Sequence, residues 1–299
     1  RGAGTYLDTY AIKVKPEYLS KHPEYGTEGL VLQLVKPGAG ARSQASLSLV
    51  INAIETLMSK KADARKSLEG IVDVFKETER LMEEETDLSR VVDKAKMAEK
   101  LYQGLRVKLP MIDVEFHTPG VFDHSKDYRI CRDIKGEHFN DIYKDDPNKL
   151  PLKKNIAFAI LVSELYMMLT GKAFDHDRYG ANQGIEVLDH PTDKGRKLVR
   201  IGNFDEHGII LTPPNKVQKQ IFANILLDAL ANSSINGFNL VSSLKHTFGR
   251  AQKIAREDPI TSTDMNYVNH MINAITSHGD YRAVLNKRNL LQALNVVLN

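Results

Sequence analysis

The sequence predicts an α+β fold of two lobes, strand-rich in its first half and helical in its second. Three observations predict it. Short β-branched and aromatic stretches bounded by Gly and Pro recur through residues 1–134. A heavily charged stretch with helical apolar spacing, about 59–105, interrupts them. Beyond Pro214 the apolar residues recur only at helical spacing, with breaks at Asn236-Gly237, Asp258-Pro259 and His278-Gly279. This order segregates strands from helices. The small lobe is assigned to 1–134, with a helical hairpin inserted at about 59–105, and the large lobe to 135–299.

Composition bounds the function classes. The 299 residues are 42% hydrophobic and 26% charged, which is globular composition with enough chain for a large core. The formal net charge of +3 is too mild to imply nucleic acid. The single Cys131 excludes an internal disulfide and any Cys-rich zinc site. No apolar run approaches the ~20 residues of a membrane span, and no repeat or low-complexity segment is visible.

The elements follow in order. Tyr6 to Val14 reads as a strand, preceded by Gly2-x-Gly4, which suits either the end of a phosphate-covering loop or a ragged terminus. After the turn-rich 15–28, Gly29 to Val35 is a second strand. Lys36-Pro-Gly-Ala-Gly-Ala-Arg-Ser-Gln44 leads into a helix from Ala45 to Leu57, with Ser43 expected to cap it. Within the charged stretch, Leu68, Ile71, Val72 and Phe75, then Val91 and Val92, keep helical spacing, so its charges are read as a solvated face. Met111 to Phe116 and Asp127 to Ile134 are strands, and the crossing between lobes is expected here. An apolar helix, Asn155 to Thr170, stops at Gly171. Ile185 to Leu188 and Lys197 to Ile201 form a hairpin. Four helices follow: Val217 to Ala231, Asn239 to Arg256, Ser262 to Ser277 and Tyr281 to Leu298.

Two places carry chemistry. Phe174-Asp-His-Asp-Arg-Tyr-Gly-Ala-Asn182 lies on a helix-to-strand corner, and the hairpin returns to Gly202-Asn-Phe-Asp205. Phosphoryl transfer uses such a set: one carboxylate, here Asp177, to orient the attacking hydroxyl, and an Asn and an Asp, here Asn182 and Asp205, to hold Mg²⁺ on nucleotide phosphates. Asp-x4-Asn alone is a weak signal, because turns are rich in both residues. The second place is Lys36, at the end of a strand before a Gly-rich turn and a helix. It reads as a Lys gripping phosphates, held by Glu55 nineteen positions later. The alternative is a solvated strand-end Lys with ordinary turn glycines.

Together these stretches resemble the phosphatidylinositol 3-/4-kinase superfamily. There a strand ends in the ATP lysine and is followed by Gly-Asp-Asp-Leu-Arg-Gln-Asp opening a helix. Lys36, Gly38, Arg42 and Gln44 are similar to it, although the acidic pair is missing. The family's catalytic loop, Asp-Arg-His-x-x-Asn, is matched by Asp177-Arg178-Tyr179-Gly-Ala-Asn182, with Tyr179 in place of the His. Its Asp-Phe-Gly metal loop is matched by Phe204-Asp205-Glu-His-Gly208, with the Gly displaced. The resemblance runs from about Thr5 to about Leu230 and looks most like the divergent phosphoinositide kinases among bacterial secreted effectors.

The resemblance implies a two-lobed, protein-kinase-like fold and an ATP-dependent lipid kinase with Mg²⁺ or Mn²⁺. It implies Lys36 and Glu55 at the nucleotide, Asp177 as the catalytic residue, and Asn182 and Asp205 as metal ligands. Lys216 and Lys219 follow the metal loop, where the family reads its head group, and would meet a phosphate on an inositol ring. Exposed lysines at a helix start read equally well. Lys194, Arg196 and Lys197 make a second basic cluster, suited either to an anionic lipid surface or to a solvated turn. The partners implied are a phosphoinositide at a membrane surface and, for an effector in host cytosol, a host protein. An atypical protein kinase and a nucleotide-binding pseudokinase are the alternatives.

Overall fold

In this computed structural model the elements run β1 (Gly2–Ala3), β2 (Leu7–Ile12), α1 (Pro16–Leu19), β3 (Leu30–Val35), α2 (Ala39–Lys60), α3 (Leu88–Tyr102), β4 (Arg106–Lys108), β5 (Ile112–His117), β6 (Val121–His124) and β7 (Tyr128–Arg132). There follow β8 (Glu137–His138), α4 (Leu150–Thr170), β9 (Phe174–Asp175), β10 (Gln183–Asp189), β11 (Lys197–Asn203), β12 (Ile209–Ile210), α5 (Lys216–Ile235), α6 (Leu240–Ala255), α7 (Ser262–Thr276) and α8 (Lys287–Leu298). The structure describes all residues except 1, 4–6, 26–28, 61–67, 69–70, 73–74, 77, 80–81, 84–85, 143–145, 171–173, 176–181, 204–208, 211–212, 236–238, 256–261, 277–283 and 299. The chain is α+β, and it divides into two compact units: Arg1–Lys96 with Pro119–Asp133, and Met97–Thr118 with Ile134–Asn299.

The first unit is built on an antiparallel sheet in the order β1-β2-β3-β7-β6. Strand alternation gives it two unlike faces. Register pairs Val31 with Cys131 and Gln33 with Arg129, and Val31, Arg129 and Cys131 are buried on that face. Arg129 Nε donates to Gln33 Oε1 within this face. The other face carries Asp8, Tyr10, Leu32, Leu34 and Ile130, with Tyr10 49% and Leu34 37% exposed.

α2 begins at Ala39, so Ser43 lies inside the helix and not at its cap. The described residues between 68 and 83 are helical and run back along α2. Gln44 Nε2 donates to Glu83 Oε1 (2.6 Å) and Ser48 Oγ to Glu79 Oε1 (2.9 Å). Gly40 stands where an added Cβ would lie 2.9 Å from Thr86 Oγ1.

The second unit holds a mixed sheet, β4-β5-β11-β10-β8. β5 lies parallel to β11, Ile112 opposite Lys197 through Gly202 opposite His117. This pairing draws 97–118 into the second unit, although the sequence reading placed that stretch in the first lobe. From Ile156 to Met168 α4 is apolar on nearly every side, and it is wrapped accordingly. Ile156, Ile160, Leu161, Leu165 and Met168 are essentially inaccessible. The helix packs against β5, α7 and α8, while α5, α6 and α7 pack on one another. Phe222, Leu244, Val268, Ile272 and Leu290 join the same core.

Candidate functional site

Two antiparallel pairings flank the Asp177 and Asp205 motifs. The β10–β11 hairpin runs in unbroken register from Asp189 opposite Lys197 to Gln183 opposite Asn203. Beyond it, β9 pairs with β12, Asp175 opposite Ile209 and Phe174 opposite Ile210. Both motif loops therefore run between the same two pairings. One leaves Asp175 and reaches Gln183, and the other leaves Asn203 and reaches Ile209. Asp177 and Asp205 lie in these loops and outside the described residues, as do Arg178 and Tyr179. Asn182 is described: it is partly buried and immediately precedes β10.

The base of this hairpin is held closely. Gln183 and Asn203 are 2% and 3% exposed. Outside β10 lies β8, with His138 opposite Gly184 and Glu137 opposite Ile185, and Phe139 N–H donates to Gln183 C=O (3.1 Å). Gly136 makes this approach possible. Its φ is +106°, and an added Cβ would lie 2.2 Å from the Ile185 carbonyl oxygen. Gly202 plays the matching part on β11, where a Cβ would lie 2.3 Å from Ile134 Cγ2.

The far end of the hairpin is latched. His190 Nδ1 accepts from the N–H groups of Asp193 (3.0 Å) and Thr192 (3.3 Å). Its proton therefore sits on Nε2, which donates to Asp113 Oδ2 at 3.1 Å. Arg196 Nη2 donates to Asp113 Oδ1, to Leu109 O (2.7 Å) and to Ile112 O (3.2 Å). Lys197 Nζ donates to Asp189 Oδ1 at 2.6 Å, and this contact holds the Asp189 carboxyl below its ordinary range. Of the basic cluster read from Lys194, Arg196 and Lys197, Arg196 is paired with Asp113 on β5 and Lys197 with Asp189 of the hairpin. Lys194 and Lys197 are exposed, and Arg196 is partly buried.

In the first unit, Lys36 follows β3 directly and lies 3.8 Å from Asp8 Oδ1, with side chains 29% and 35% exposed. The structure does not bring Glu55 to it. Glu55 sits sixteen residues beyond Ala39 on the same helix that Lys36 precedes, a rise of about 24 Å at 1.5 Å per residue. Glu55 instead accepts from Lys76 Nζ at 2.9 Å. The expected Lys36–Glu55 pair is therefore corrected: a helix that starts at Ala39 carries Glu55 away from the lysine.

Lys216 and Lys219 occupy the first turn of α5. Asn215 caps that helix reciprocally with Gln218: Gln218 N–H donates to Asn215 Oδ1, and Asn215 N–H to Gln218 Oε1, both at 2.9 Å. Asn215 Nδ2 (3.1 Å) and Gln218 Nε2 (3.0 Å) also donate to Asp264 Oδ1 on α7. Two lysines in a first turn oppose the helix dipole. The Asp264 carboxylate beside the cap offsets part of that cost.

Sequence reasoning missed Asp8, Asp113 and His190. Asp8 was readable only as an outward position of a strand, and Asp113 only as a polar residue alternating with Ile112 and Val114. His190-Pro191 carries no signal in sequence beyond that of a turn. Among the described residues no group of three or more His, Cys, Asp or Glu is arranged to hold a metal ion, and no helix is long and apolar enough to cross a membrane.

No protein-family model and no curated protein matches the sequence. Among solved structures, the complex of Rv3197 with erythromycin from Mycobacterium tuberculosis is similar at a TM-score of 0.39 and 15% identity. The match covers 74% of this chain and 49% of that one.

Proposed function

We propose that this chain is an ATP-dependent phosphoinositide kinase, transferring the γ-phosphoryl group to an inositol hydroxyl. The observation that carries the reading is the double tether of the motif loops. Chain segments holding Asp177 and Asp205 are tied at both ends to the same two strand pairings, with Asn182 at the foot of one. Phosphoryl transfer is mostly positioning and charge stabilisation, so it needs a carboxylate for the attacking hydroxyl beside oxygen ligands for Mg²⁺. Asn and Asp oxygens are the hard donors Mg²⁺ prefers. When bound, the ion would offset charge building on the phosphoryl group. Asn182 and Asp205 hold it in this reading, and Asp177 orients the hydroxyl.

The first unit supports the same reading. Lys36 stands at the end of the third strand, and its neighbours Leu34 and Tyr10 leave apolar surface open on the face that carries Asp8. A nucleotide site combines such apolar surface with a phosphate-binding cation. Lys216 and Lys219 at the start of α5 suit an anionic head group on a lipid surface, in line with the effector resemblance.

One observation favours a nucleotide-binding pseudokinase instead. Active protein kinases need the strand lysine paired with a helix glutamate, and here Lys36 faces Asp8 while Glu55 faces Lys76. Thermal shift with Mg²⁺-ATP tests the nucleotide binding that both readings share, and transfer of labelled phosphate then separates them. Wild type is expected to be stabilised, Asp205→Ala to lose that stabilisation, and Glu55→Gln to keep it. A wild type that gains nothing from Mg²⁺-ATP would remove both nucleotide readings.

A further inference from the structure

β4 is an end strand of the second sheet and pairs with β5 alone. Leu109 and Ile112 exchange both of their backbone hydrogen bonds, at 2.8 and 3.3 Å. Such bonded pairs alternate with unbonded ones along antiparallel strands. Val107 therefore bonds to Val114, and the N–H and C=O groups of Arg106 and Lys108 turn away from β5. A cavity of about 580 Å³ lies along this edge, walled by the end of α3, by α4 and by the last turn of α8. That volume is in the range of ligand sites. Leu101, Leu105, Val162 and Val297 give it apolar walls, Arg106 and Lys108 line it too, and no carboxylate does. Asp113, opposite Lys108 on β5, is already taken by His190 and Arg196.

We propose that β4 is a docking edge for an extended acidic segment of a partner protein, which adds to the sheet as an antiparallel strand. The edge offers N–H and C=O groups at alternate residues, and a peptide backbone is their complement. A residue set opposite Val107 would turn its side chain to the buried face of β4, where α4 and the cavity lie, so an apolar residue belongs there. Residues set opposite Arg106 and Lys108 would share the exposed face with those two cations, so acids belong there. The charges argue against a second copy of this chain. Two copies joined edge to edge about Val107 would set Arg106 of one against Lys108 of the other, a like-charge pair that destabilises. A short, Lys-bearing edge strand discourages apolar strands, but not an acidic one. The inference does not depend on the kinase reading.

The probe is a fluorescein-labelled Val-Glu-Val-Glu-Val amide, titrated with the whole chain and followed by anisotropy. A dissociation constant on the order of 100 μM is expected. Val-Lys-Val-Lys-Val should bind at least tenfold more weakly. Methylating the two Glu amide nitrogens should weaken binding at least tenfold as well, because those N–H groups donate to the Arg106 and Lys108 carbonyls. Lys108→Glu should cut the preference for the Glu peptide over the Lys peptide at least tenfold, with unchanged circular dichroism. A methylated peptide that binds as well as its parent overturns the proposal, since the cavity would then be taking side chains with no added strand. Equal affinity for the Glu and Lys peptides, or no binding of either up to about 1 mM, overturns it too.

Discussion

At Gly136 and Gly104 the backbone takes φ +106° and +76°, so any side chain meets similar conformational strain at both. The surroundings differ. A Cβ at Gly136 would strike the Ile185 backbone, whereas nothing lies within 4 Å of one at Gly104. Gly104→Ala should therefore cost about 1 kcal/mol from strain alone. Gly136→Ala should cost about 2–4 kcal/mol and loosen the pairing of β8 with β10, because backbone cannot yield as a side-chain tip can. Urea denaturation of the two variants checks this contrast. Tyr267 offers a second residue-scale test. Burial pushes its phenol up to about 12, against about 10 in an unfolded chain. As pH rises through 10 the unfolded chain loses the proton first, so stability falls between pH 10 and 12. Tyr267→Phe should remove that part of the fall, read from denaturation midpoints at pH 9 and 11. An identical decline in both proteins would show that the phenol is not the cause.

Among the elements, α4 was the most legible. A run from Ile156 to Met168 with no exposed face reads as a buried helix by composition alone, and it is the centre of the second core. Leu161→Ala in that helix should cost about 2–5 kcal/mol through lost burial and a cavity. Strands β3, β5, β7, β10 and β11 were legible for the same kind of reason, since alternation or a β-branched run marks them. The two-residue strands β1, β8, β9 and β12 were not. Segments so short have no period, and they exist only because a longer strand or a partner segment lies alongside. The start of α2 was misplaced because Gly38 and Gly40 looked like a turn, while Gly40 is helical where it meets Thr86. That shift is what removed the Lys36–Glu55 pair. For α5 the expectation is two-sided. Replacing Lys216 and Lys219 by Glu should stabilise the helix by about 0.3–1 kcal/mol per site through the dipole, yet lower activity toward anionic lipid. If stability and activity fall together, the lysines serve the fold.

For the whole molecule, residue types and spacing pointed to phosphoryl transfer, and the described backbone adds that the chain on either side of each motif joins the same two strand pairings. One tether, the β10–β11 hairpin, was legible in sequence; the other was not, because it pairs residues thirty-four and thirty-six positions apart, Asp175 with Ile209 and Phe174 with Ile210. Residues 97–118 show the same limit: their place follows from a parallel pairing with β11 that only the folded chain reveals. The most direct test of the central claim is transfer of labelled phosphate from ATP, with Mg²⁺ or Mn²⁺, to phosphoinositide vesicles beside a protein substrate mixture. The account predicts a labelled lipid with wild type and at least a thousandfold loss, ~4 kcal/mol of transition-state stabilisation, in Asp177→Ala. Label that persists in Asp177→Ala, or that appears in protein and never in lipid, would contradict it.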